Sequence, residues 1–484
     1  MSKKFSNLNR REFLLKASYL LGSVGVTPFV RAEMLYDFSK KFMPEALASD
    51  IGGSQVHHFF DLTFRFGMPL INIGTGVEFA NLGGATYYNS PATPGSMLMR
   101  GRGDRPIWLN GKTQDLAIYA SNLAITQGVS VSDRGLHVSY FNKRGPGKNL
   151  VTPIIQHAAR NSSKFVVGGV HWFKAPEQDV NGNVMNVLTG GFSDLQGIPS
   201  EDAFNSLFTK PNLRLSEAEV AAVSEATKGI SGKQGRLLEQ RMNDAKNAVA
   251  NQAKAMDLMT QDYNKVLEVT PEERKAFRVG RTGTEFSLGE IPQDIGLAMI
   301  KSLKAMQNGL LGNAQITVQT GDWHGAKSFS DMNRQNVVGE HLAAILAATM
   351  EYLRKTPSLT APGKKLSEVT LIQVQSEFTR PVNGPGTSDK DNNDGGTDGT
   401  LLLGDMINGG YYGGFDFGDP TRPKVYGFHP ETGDPRKEMV TRNGVSEPYT
   451  NKSEEIYNTV QALLGNPTVV ADAATWTSWI RKMG

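Results

Sequence analysis

Two short apolar segments separated by one long amphipathic helix constrain this chain more than any other feature. Ala314–Thr320 (AQITVQT) and Val369–Gln375 (VTLIQVQ) have the length and β-branched content of strands. Between them, Asn336–Lys355 places Leu342, Ile345, Leu346, Met350 and Leu353 near 3.6-residue spacing, which predicts a helix with one apolar face. Strand, helix and strand with short connections form a right-handed unit whose strands run parallel. The two strands are expected to be neighbours, roughly 5 Å apart.

The residues trailing those strands carry the chemistry. The first strand runs into Gly321-Asp322-Trp323-His324-Gly325, the second into Ser376-Glu377-Phe378-Thr379-Arg380. In open α/β sheets ligands sit beyond the carboxyl ends of the strands. Asp322, His324 and Glu377 are therefore expected to share one crevice. Two carboxylates and an imidazole suit a divalent cation such as Zn²⁺ or Mn²⁺, which polarises an ester oxygen or acidifies water. The same spacing is also met without a ligand, with Asp322 capping a turn and His324 bonded to the loop backbone.

Earlier segments fit the same fold class. Val56–Phe66 (VHHFFDLTFRF) predicts a first core strand, closed by Gly67-Met68-Pro69. Alternation lets only one of His57 and His58 face the interior. Asp115–Val131 ends in a second strand, Val151–Arg160 predicts a helix, and Phe165–Trp172 predicts a buried strand ending in His171-Trp172. Those last two residues suit packing at a strand end or the lining of the crevice. Ser216-Glu217-Ala218-Glu219 and Thr270-Pro271-Glu272-Glu273 are helix starts, and Pro292–Asn308 predicts a helix stopped by Gly309. Residues 200–285 read as a helical insertion or cap, or as an ordinary layer on the sheet.

Glycine (52 residues) concentrates in loops. Gly74–Gly84 (GTGVEFANLGG) lacks the Gly-Lys-Ser/Thr ending of a phosphate loop and reads as a turn-rich connection. A Gly/Asp-rich loop is expected at 384–418, with Ser388–Thr400 (SDKDNNDGGTDGT) as its low-complexity part. Asp389, Asp391, Asn393 and Asp394 suggest Ca²⁺, but Asp394 and Thr400 occupy the glycine and glutamate positions of a calcium loop, and a solvated acidic loop fits better. Tyr411–Phe417 reads as an exposed aromatic loop, anchored by its rings or stacking on a sugar or partner.

The amino terminus sets the compartment. Asn9-Arg10-Arg11-Glu12-Phe13 precedes an apolar stretch, Ala17–Phe29, and Val30-Arg31-Ala32 offers small residues for signal cleavage. That stretch is about thirteen residues, short of the roughly twenty that span a bilayer. Residues 1–32 read as a removed twin-arginine signal and 33–484 as a single large α/β domain without a membrane span. The protein is expected to fold first, meet the twin-arginine translocase, and work in the periplasm or outside the cell. The signal holds six basic residues against one acid, so the chain's net charge of +3 becomes about −2 without it. Nothing then marks a nucleic-acid partner. The chain has no cysteine, which excludes disulfides, thiolate zinc sites and a cysteine nucleophile.

Taken in order, a twin-arginine leader, strand-GDWHG, a helix, strand-SEFTR, a Gly-Thr-Asp stretch and GDMINGGYYGGF, the chain resembles the DUF1501 family of exported proteins, related to the sulfatase and alkaline phosphatase superfamily. The family's segments run close to W-D-T-H, S-E-F-G-R and G-T-D-H-G, and the match is best over about 310–430. Leu136-His137-Val138-Ser139-Tyr140-Phe141 is similar to a Ser-His-Phe of that family. The resemblance implies a three-layer α/β/α sandwich with a largely parallel central sheet, and metal-dependent hydrolysis of a phosphate or sulfate ester. It adds Asp398 and His137 to Asp322, His324 and Glu377 as metal-ligand candidates.

The chain also departs from the family. Gly396-Thr397-Asp398-Gly399-Thr400 lacks the family's imidazole, and no hydroxyl or acid follows the first strand. Ser130, Ser132, Ser139 and Thr75 are nucleophile candidates by exclusion only, so no catalytic residue is named. The alternative function is a non-catalytic scaffold binding a cell-envelope partner in place of a small ester substrate.

Overall fold

A computed structural model describes residues 56–65, 73–76, 96–100, 105–110, 113–130, 153–161, 165–173, 177–178, 184–185, 195–209, 263–280, 294–319, 329–376, 397–416, 424–442, 445–466 and 470–481. The export signal, the Ser216 helix start, the Asp389–Asp394 loop, and the candidates His137, Asp322, His324, Glu377, Ser132 and Ser139 lie outside them. The chain divides into two compact units, residues 1–46 with 208–263, and 47–207 with 264–484. The first is described at Phe208, Thr209 and Tyr263, where the Tyr263 N–H donates to the Phe208 carbonyl at 3.4 Å. All that follows concerns the second.

Among the described residues a nine-stranded sheet organises this unit. Its strands are β1 (His58–Arg65), β2 (Leu123–Ser130), β3 (Val167–Trp172), β4 (Leu195–Ile198), β5 (Leu311–Gln319), β6 (Thr370–Ser376), β7 (Thr397–Leu403), β8 (Gly410–Tyr411) and β9 (Asn451–Lys452). The order is β8-β2-β7-β6-β1-β5-β3-β4, with β9 also paired to β2. Pairing is parallel throughout except at β7, which is antiparallel to both β6 and β2. The class is therefore α/β with a largely parallel sheet, as the strand–helix–strand pattern predicts.

One expectation is corrected. β5 and β6 run the same way but are not neighbours, because β1 lies between them and pairs with both. A crossover helix requires only that its two strands share a sheet and a direction; it leaves room for a third strand between them. At about 4.8 Å per strand the two flanking strands stand roughly 10 Å apart.

Helices cover both faces. α1 (Pro153–Arg160) and α6 (Ser453–Leu464) lie on one, where Gln156 Nε2 donates to the Tyr457 hydroxyl at 3.3 Å. Their core joins Ile154, Ile155, Ile456, Tyr457 and Val460 to Phe59, Ala124, Leu371 and Leu402 of the sheet. α4 (Ile295–Gln307) and α5 (Phe329–Lys355) serve the other face. There Phe60, Leu62, Phe64, Ile316, Val318, Ile372 and Val374 are fully buried. Trp172 is anchored on this side by donating Nε1–H to Ser302 Oγ at 2.9 Å and stacking on Phe204 of α2 (Glu201–Phe208). Each such large apolar side chain contributes about 1.5–3 kcal/mol by leaving water.

Local signals set the helix ends, at Thr270 as the sequence predicts, and two residues inside the expected Pro292 start for α4. Thr270 caps α3 (Pro271–Ala276) with a reciprocal bond to Glu273, and Asp294 caps α4 by accepting from the Leu297 N–H at 2.8 Å. α4 is capped at Asn308 and stopped by Gly309, whose φ of 66° is left-handed. Two loop readings need correction. Residues 397–400 are strand, not loop: pairing with β2, joined at Thr400 by pairing with β6, outweighs their loop-like composition. Tyr411 and Tyr412 are buried, not exposed, at 6% and 2%. Tyr412 donates to the Asn408 carbonyl, while Arg105 lies over its ring.

Gly296 in the first turn of α4 has a steric reason. A Cβ there would stand 1.9 Å from the Phe277 carbonyl oxygen. Gly→Ala inside a helix ordinarily stabilises by about 1 kcal/mol. Here Gly296→Ala is expected to destabilise by about 1–3 kcal/mol, read from the urea midpoint. A raised midpoint would show that this helix contact is not tight.

Candidate functional site at the carboxyl edge

Strand direction gathers several chain segments at one edge. The ends of β1, β5 and β6 are level, with Arg65 opposite Gln319 and Phe64 opposite Ser376. β7 runs the other way, so it begins at this edge, with Thr397 opposite Ser130 and Asp398 opposite Val129. Asp398 is thus a strand residue at this edge of the sheet rather than part of a loop. Of the two described nucleophile candidates, Ser130 lies at this edge. Thr75 is buried in a separate three-stranded sheet, paired with Trp108. Asp322 and His324 follow the last residue of β5, and Glu377 follows the last residue of β6. Among the described residues no three His, Asp or Glu side chains converge to hold a metal.

The sheet itself carries a feature that motif reading missed. Central strands of a parallel sheet have both faces covered and are usually apolar throughout. Here the face shared with α1 and α6 is polar along its carboxyl half. Asp61 stands beside Gln315 on β5 and Gln373 on β6; Thr63 stands beside Thr317 and Gln375. His171 on β3 joins them, its Nε2 2.7 Å from Thr317 Oγ1. All are buried. Alternation of polar and apolar residues in HFFDLTFR, LGNAQITVQ and TLIQVQS was the available signal, and in a parallel sheet it is out of place.

Asp61 is the centre of this layer. Gln375 Nε2 donates to Oδ1 at 2.9 Å and Gln315 Nε2 to Oδ2 at 3.2 Å, while Thr63 Oγ1 lies 3.5 Å from Oδ1. Burial pushes the carboxyl up to about 7, and these three side chains only partly counter it. His58, on the opposite face, packs against Phe165 with ring centroids 5.0 Å apart. Burial, then the neighbouring His57 and His157, lower its pKa to about 3, so it is a neutral core residue. His57 precedes β1 and bonds through Nδ1 to Thr360 Oγ1 at 2.8 Å. His157 of α1 bonds Asn313 at 2.7 Å and the Val56 carbonyl at 3.1 Å, tying α1 to the sheet.

No family model matches the chain, and no curated protein does. Among solved structures, a crystal structure of i-CgsB from a source abbreviated Ps, in complex with k-i-k-neocarrahexaose, is similar over 87% of this chain and 75% of that one. The identity is 10% and the TM-score 0.29, too slight a likeness to define a fold or an activity.

The two buried groups titrate with opposite effect. Between about pH 4 and 7 Asp61 holds a proton only when folded, so its stabilisation is full at low pH and is lost as pH rises towards 7. Between about pH 3 and 6.5 His58 is protonated only when unfolded, so its contribution grows as pH rises. Each slope is about 1.4 kcal/mol per pH unit, and they cancel across about pH 4–6.5. Asp61→Asn is expected to expose the histidine slope, with stability climbing over that window in denaturant titrations. Parallel pH profiles for variant and native protein would show that Asp61 does not titrate as described.

Proposed function

We propose that the chain is an exported metal-dependent hydrolase of phosphate or sulfate esters, built on an alkaline phosphatase-like sandwich, with its site at the carboxyl edge of the sheet. The observation that carries this reading is the convergence of strand ends there: the chain leaves β5 and β6 on either side of β1, and enters β7, at one edge. Asp322, His324, Glu377 and Asp398 are nitrogen and oxygen donors of the kind Zn²⁺ and Mn²⁺ accept. The roughly 10 Å between β5 and β6 suits two ions about 4 Å apart with ligands on their outer sides. His137 is a further ligand in this reading. The bound ions supply Lewis acidity toward the ester oxygen. In this reading Asp322 and His324, which follow β5 in sequence, and Asp398, near the start of β7, supply metal ligands. Glu377, next to the end of β6, takes up the proton of the attacking group. Ser130, at the same edge, is the nucleophile candidate the strand register favours.

Elemental analysis of the purified chain is expected to find zinc or manganese in stoichiometric amount, lost in Asp322→Ala without loss of far-ultraviolet dichroism. Glu377→Gln is expected to slow p-nitrophenyl phosphate or sulfate hydrolysis by ~10²–10⁴-fold while metal content stays constant. A metal-free native chain, with a melting temperature indifferent to chelator and no hydrolysis, would instead mark the non-catalytic scaffold.

A further inference from the structure

The layer around Asp61 is oversupplied with oxygen and short of positive charge. Asp61 is 3% exposed, and the side chains bonded to it are two neutral amides and a hydroxyl. Gln315 and Gln375 spend their amino groups on the carboxylate, which leaves the Oε1 of each buried without a partner. Gln373, directly across from Asp61 in the β1–β6 register and fully buried, has no partner for either amide atom. Four acid or amide side chains thus face one small region with unused acceptors, and buried acceptors are ordinarily satisfied. A water molecule would donate to two of them and leave the charge in place.

The spacing suits an ion. Asp61 Oδ1, Thr63 Oγ1 and the Gln375 amide end form a triangle with edges of 2.9, 3.1 and 3.5 Å. Turning the Gln375 amide by half a turn puts Oε1 where Nε2 lies, making all three corners oxygen. Edges of that length belong to an octahedron of oxygens at about 2.1–2.5 Å from its centre, the range of a calcium-sized ion. One carboxylate among neutral amides balances a single positive charge, whereas a divalent ion would leave an excess charge buried. We propose that Asp61, Thr63, Gln315, Gln373 and Gln375 form a site for a dehydrated monovalent cation of sodium size, within the sheet and separate from the crevice ligands Asp322, His324 and Glu377.

The test is thermal melting of the full chain at about pH 8 in sodium, potassium or choline chloride of equal ionic strength. Sodium is expected to raise the melting temperature over choline by roughly 2–6 °C in a saturable way. The increment should vanish in Asp61→Asn and in Gln373→Leu, and persist in Asp322→Ala. Potassium is expected to raise it less, and an equal or larger shift in potassium would overturn the sodium-sized geometry. Superimposable melts of the native chain in all three salts would overturn the proposal, as would a sodium increment surviving both cluster variants, or stabilisation by micromolar calcium in place of sodium.

Discussion

The pairing of β1 with a parallel strand on each side is the constraint from which the rest of the structure follows. It leaves β1 without a free edge, so its backbone is paired along both sides, with β5 and with β6. Parallel pairing also requires each return of the chain to cross a face, and those crossings are the helices that cover the sheet. The level termination of three strands is a direct result, and a shared edge for the segments that follow comes with it.

The two faces of those strands do different work. On the α4 and α5 side, Phe60, Leu62, Phe64 and their neighbours supply burial with no polar atom to satisfy. On the α1 and α6 side the apolar cluster around Phe59 and Leu371 gives way, along the same strands, to Asp61, Gln373, Thr63 and Gln375. Burying a carboxyl costs free energy unless hydrogen bonds or a compensating charge offset it. The unspent acceptors of Gln315, Gln373 and Gln375 show that hydrogen bonds within the chain leave part of that cost standing. A fold that carries such a layer in its centre gives up stability relative to an apolar sheet.

Strand and helix identity were legible because they are written locally. The apolar runs at Phe165–Trp172 and Val369–Gln375, the Thr270 cap and the Gly309 stop each act within a few residues. Pairing order is not local. Asp61 and Gln315 bond across 254 residues of chain, and nothing near either one says that β1 separates β5 from β6. Composition misled at Thr397–Thr400, where glycine and aspartate sit in a strand paired with β2. It misled again at Tyr411-Tyr412, whose rings are covered by residues distant in sequence, Arg105 and Trp479 among them. The Asp61 layer was not sought, because alternation in a strand is ordinarily taken as a solvent-facing side rather than a polar interior.

The lone reversed strand bears on how this scaffold can change over generations. Because β7 points against β6, the connection between them starts and finishes on one rim of the sheet. Such a segment can lengthen, shorten or be replaced wholesale while every ladder beneath keeps its register. The stretch joining Ser376 to Thr397 is therefore a place where natural variation can reshape the rim at little risk to the framework.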